Sequence, residues 1–168
     1  SQDITVTFDA TDLAVDTYSA DIVIYSNDPD ENPLPVPVYL NLGWMIPEEF
    51  SFIQSTQKAN YNFTDVSING ENITSIDWVG AFNGDICVGA RQWDTSQCDG
   101  GVCAVPVMGY DALAPDLTAG YMLPGDIPTF KIYDASENTY HDAIPSENIS
   151  WTDLGEPFIE SLQFSGNC

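Results

Sequence analysis

Trp78-Val79-Gly80-Ala81-Phe82-Asn83-Gly84-Asp85-Ile86-Cys87-Val88-Gly89 decides the fold class. Two apolar runs flank Asn83-Gly84, a residue pair that accepts the positive φ of a tight turn, so the stretch reads as a β-hairpin. Strand signals continue on both sides of it. Upstream, 61–68 places Tyr61 and Phe63, then Val66 and Ile68, on alternating positions, with a slip between Thr64 and Asp65 that reads as a β-bulge. Downstream, 104–108, 129–133 and 158–164 read as further strands, separated by Pro115, Pro124, Gly125, Pro128 and Pro145. Many short strands with Gly and Pro punctuation, and no convincing helical period, predict an all-β sandwich.

The first quarter of the chain carries a separate pattern. Ile4, Val6 and Phe8 alternate with polar residues, and 18–25 places Tyr18, Ala20, Ile22 and Ile24 on one face. The turn cluster Ser26-Asn27-Asp28-Pro29-Asp30-Glu31-Asn32-Pro33 follows, and 36–42 turns Val36, Val38, Leu40 and Leu42 inward, with Pro37 marking an edge strand. Phe8 to Leu13, Tyr18 to Pro29 and Val36 to Leu40 together resemble the closing half of the immunoglobulin-like repeats of bacterial secreted and cell-surface proteins. The Ser26-Asn27-Asp28-Pro29 turn is the most specific part of that resemblance. It implies a spacer or joining module without catalysis. Three strands in about 43 residues lie near the ~40-residue limit for an independent core. The expected organisation is therefore an incomplete Ig-like half-module over 1–43, acting as strand donor or spacer, followed by an Ig-like or jelly-roll-like sandwich with disulfides over 44–168.

Within 44–168, Trp78 to Gly89, Gly120-Tyr121, Gly125-Asp126 and Thr129 to Asp134 resemble a β-rich module near the C-termini of large secreted proteins of environmental bacteria. A truncated repeat followed by such a module also resembles subunits of extracellular protein fibrils, in which one subunit's strand completes the next.

Composition narrows the function. The 168 residues hold 26 Asp and Glu against three Lys and Arg, a net charge of −23, with 43% hydrophobic residues. That apolar content supports a packed core. Lys58, Arg91 and Lys131 are too few and scattered to neutralise nucleic-acid phosphates or an anionic bilayer. No stretch reaches the roughly 20 apolar residues of a membrane span, and no signal-peptide pattern opens the sequence. The chain reads as a mature, extracellular or cell-surface protein. Cys87, Cys98, Cys103 and Cys168 are even in number and lack Cys-x-x-Cys spacing. Cys98 and Cys103 flank a Gly-rich tip and are the favoured pair, which leaves Cys87 for Cys168, with two other connectivities open. Asn62, Asn72 and Asn148 each begin an Asn-x-Ser/Thr acceptor for glycans, in keeping with an oxidising compartment.

The chemistry expected is non-enzymatic. His141 is the single histidine, no Gly-x-Ser-x-Gly elbow accompanies it, and its neighbourhood reads as a surface loop. Hard-oxygen clusters make Asp28, Asp30, Asp94 and Asp99 weak calcium candidates, none in an EF-hand pattern, against a simple solvated acidic surface. Trp78 reads as core, while Trp93 and Trp151, beside polar loops, are candidates for a sugar-stacking platform with Trp44, Tyr110 and Tyr121. Two functions follow. One is a structural subunit of an extracellular fibre, polymerising head to tail with copies of itself through Ile4, Val6 and Phe8. The other is a carbohydrate-binding or adhesive module.

Overall fold

The computed structural model describes residues 5–9, 17–25, 32–41, 46–98 and 100–166. The chain divides into two compact units, Ser1–Met45 and Ile46–Cys168. Both are built from β-strands, and the only helical elements among the described residues are single 3-10 turns at Glu48–Phe50 and Thr95–Gln97.

In the first unit β1 (Thr17–Ile24) pairs antiparallel with β2 (Leu34–Asn41) in a two-stranded sheet. The register sets Tyr18, Ala20, Ile22 and Ile24 opposite Leu40, Val38, Val36 and Leu34, so the period-2 pattern of both strands produces one continuous apolar face. The third expected strand is corrected. The expected strand spans 3–8, and residues 5–8, its described part, form no strand despite their alternation, because a strand exists only where a ladder partner accepts its hydrogen bonds.

The second unit is a curled sheet of β3 (Lys58–Ile68), β4 (Glu71–Asn72), β5 (Trp78–Asn83), β6 (Ile86–Gln92), β7 (Cys103–Met108), β8 (Thr129–Asp134), β9 (Thr139–Pro145) and β10 (Phe158–Phe164). Its order is β4-β3-β10-β9-β8-β5-β6, with β7 also on β3. The β3–β10 pairing is parallel and the rest are antiparallel. The sheet curls until β6 lies against β7, so closely that a Cβ at Gly89 would run into the Pro106 carbonyl. Only glycine permits that contact.

Inside the curl, Tyr61, Phe63, Val79, Val88, Val105, Val107, Phe130, Ile132, Trp151, Ile159 and Leu162 form the main core. Phe130 receives Tyr61 and Phe63 at centroid distances of 5.7 and 5.1 Å, within the usual range of aromatic pairs. A second cluster lies where Phe50 packs edge-on against Phe82, with Cys87, Ala90 and half-buried Trp78 around it. Gly80 is bare because the Phe50 ring occupies the space of its Cβ. With both faces of β5 and β6 covered, their sequence reads as continuous apolar runs and not as alternation.

Three expectations about this unit are corrected. The hairpin forms, but Asn83 pairs with Ile86, so the turn residues are Gly84 and Asp85, with Gly84 at φ 61°. The bulge lies in this hairpin: Ala81 pairs with Gly89 and Phe82 with Cys87, leaving Val88 as the extra residue, while β3 keeps one register along β10. Finally, His141 sits in β9 and not in a loop.

Candidate interaction surface

The alternation of β1 and β2 yields an apolar face that the fold does not bury. None of its eight side chains is buried, and Ile24, Leu34 and Val36 remain 40%, 45% and 38% exposed. In the preceding segment Val6 and Phe8 are 46% and 49% exposed. Ile4 lies outside the described residues. Among the described residues β1 and β2 form ladders only with each other, which leaves each strand an outer edge in this two-stranded sheet. Such an edge is a template for strand addition. Pro35 and Pro37, which lack a backbone donor, stand on β2, as edge strands allow.

Cys98 and Cys103 form a disulfide across a tip where Gly100 and Gly101 take φ of 60° and 83°. The Cys87–Cys168 pairing is corrected: Cys87 is a free, buried thiol in β6, in contact with the Gly89 carbonyl, and burial pushes its pKa up to about 11. Cys168 lies outside the described residues. Asn72 and Asn148 are exposed. Asn62 is half-buried in β3, between β7 and β10, and its Nδ2 donates to the Asn60 and Pro157 carbonyls.

Of the calcium candidates, Asp28, Asp30 and Asp99 lie outside the described residues. Asp94 is committed to its own turn: Oδ1 accepts from the Ser96 amide and hydroxyl and Oδ2 from Gln97 Nε2. Bonds from the Ser96 and Gln97 side chains hold its carboxyl below the usual range. Among the described residues, the set of metal-binding side chains that does converge is Asp134, Glu137 and His141, a set the sequence reading did not single out.

The stacking platform is also corrected. Trp93 is 3% and Trp151 2% exposed, and Tyr121 is buried as well. The Trp151 indole fills the space above Gly109 and donates its N–H to the Val107 carbonyl at 3.0 Å. A tryptophan needs one hydrogen-bond partner to be buried beside a polar loop, and here it has one. Neither indole can receive a sugar ring without unfolding the unit. Trp44 lies outside the described residues, and Tyr110 remains 38% exposed.

Comparison with family models, curated proteins and solved structures found no match to this chain.

Proposed function

We propose that the protein is a non-enzymatic structural subunit of an extracellular fibre or surface assembly, polymerising head to tail through the N-terminal unit. The observation that supports this reading is the apolar face of β1–β2, where none of the eight apolar side chains in register is fully buried, in a unit whose preceding segment also exposes Val6 and Phe8. A two-stranded ribbon is marginal in water by itself, and a neighbouring subunit supplies both the edge and the cover it lacks. Main-chain hydrogen bonds would give affinity, and the alternate side chains Ile4, Val6 and Phe8 would give register. A contact of this kind that does not close on itself propagates a filament.

The disulfide and the exposed sequons Asn72 and Asn148 suit an extracellular setting. No helix among the described residues is long and apolar enough to cross a membrane. The resemblance to secreted Ig-like repeats and fibril subunits agrees with this assignment. The carbohydrate-binding alternative loses its two platform residues to the core.

Deletion of residues 1–8 tests the reading. Sedimentation of the deletion variant at high concentration should show loss of assembly, with the thermal unfolding of the Ile46–Cys168 unit unchanged. Normal polymerisation of the deletion variant would refute it.

A further inference from the structure

The inward face of the β8–β9 hairpin changes character along its length. Register pairs Phe130 with Ala143, Ile132 with His141 and Asp134 with Thr139, all on one face of the ribbon. Phe130, Ala143 and Ile132 are buried in the core. One step further, the same face carries His141, Thr139 and Asp134, polar residues at positions that the alternation assigns to the interior. There the sandwich opens into a groove of about 530 Å³, lined by Ile68, Glu71, Asp77, Asp134, Glu137 and His141 among others.

Three ligand-type side chains meet in this groove. One carboxylate oxygen each from Asp134 and Glu137 and one ring nitrogen of His141 all lie within 4.8 Å of one another. The imidazole is held in place, stacked on Phe164 at 4.2 Å and in contact with the Thr139 hydroxyl at 3.1 Å. Buried Asp77 anchors the turn from below, its Oδ1 accepting the Ala135 amide while Oδ2 accepts the Thr74 amide and hydroxyl. Asp134 receives the Ser136 amide and hydroxyl and the Glu137 amide on Oδ1 alone, which leaves Oδ2 outside those bonds.

We infer that Asp134, Glu137 and His141 form a binding site for a divalent transition ion of the zinc class. Calcium takes six to eight oxygen ligands, whereas a fixed imidazole with two carboxylates matches zinc, cobalt or nickel. Ligand atoms around zinc stand roughly 3–4 Å apart, given bond lengths of about 2.0–2.2 Å. Closing the site from the present spacing therefore takes about 1 Å of movement, which exposed Glu137 in its turn can supply. Three protein ligands leave coordination positions open to the groove, where water completes the shell. The net charge of −23 raises the local cation concentration.

His141 is the only histidine of the chain, so its ring protons give an unambiguous signal. The experiment titrates Zn2+, Co2+ and Ca2+ separately into the full chain, free of any polyhistidine tag, with calorimetry and proton NMR as readouts. One zinc per chain should bind, cobalt should shift the imidazole protons strongly, and calcium should leave them in place. Glu137→Gln should weaken zinc binding about tenfold or more without altering the circular dichroism spectrum, and His141→Ala should do the same where it folds. Zinc affinity unchanged in folded Glu137→Gln, or cobalt binding that leaves the His141 protons unmoved, would overturn the site.

Discussion

The two units apply the same sequence rule and reach different ends. In Ile46–Cys168 the apolar positions of β3, β5 to β8 and β10 converge on a core in which Trp151, Tyr61, Phe63 and Ile132 are fully buried. In Ser1–Met45 the alternation of β1 and β2 is at least as regular, yet it buries none of the eight side chains on its apolar face. Periodicity therefore specifies which face is apolar, but not that the chain itself covers that face. On the proposed function the first unit is half of an interface, whereas the second covers its own core.

The largest effect belongs to the core of the second unit. Trp151→Ala removes an indole packed on Gly109 and bonded to Val107, and should cost about 3–5 kcal/mol, read as a lower denaturant midpoint. The same truncation at Ile22 in the first unit should leave that midpoint unchanged, because Ile22 is only half-buried and belongs to the other unit. A matching loss at both sites would erase the distinction between the units.

Next comes the disulfide. Cys98 and Cys103 close a loop with a sequence separation of 5, and a loop so short constrains the unfolded chain by about 2 kcal/mol. Replacing both cysteines by serine should lower the midpoint by that amount and leave assembly intact. Cys87, buried and free, should resist alkylation by iodoacetamide in the folded protein and react on unfolding.

A smaller effect appears at high pH. Burial raises Tyr61 to about 12 and Cys87 to about 11. Both groups bind their protons more tightly folded than unfolded, so their contribution is fully present below about pH 8.5 to 10, the range of the unfolded thiol and phenol. It is lost as the pH climbs through 11 and 12. Thermal melts across pH 8 to 12 should fall over this window, and Cys87→Ala should remove the lower part of the fall.

Much of this fold was legible in the sequence. The β5–β6 hairpin announced itself because both its faces are covered and its turn carries glycine, and β1 and β2 because every second residue of each is apolar on one face. Strand β9 was not legible: its Tyr-His-Asp run looks like surface, since the inward positions at this end of the sandwich face a groove. Trp93 and Trp151 misled for a related reason, since nearness to a polar loop in sequence says little about where an indole points once a single carbonyl satisfies it. The Asp134–Glu137–His141 set was invisible because it depends on the hairpin register, which places His141 diagonally from Asp134 on one face, and on the turn that carries Glu137.

On the proposed function the apolar face of the first unit is an assembly surface. Negative-stain electron microscopy of the full chain at high concentration, beside an Ile22→Asp, Val36→Asp double variant, tests it most directly. Regular filaments are expected for the native sequence and dispersed particles for the variant, whose second unit melts as before. Dispersed monomers of the native chain under all conditions, or filaments from both proteins, would contradict it.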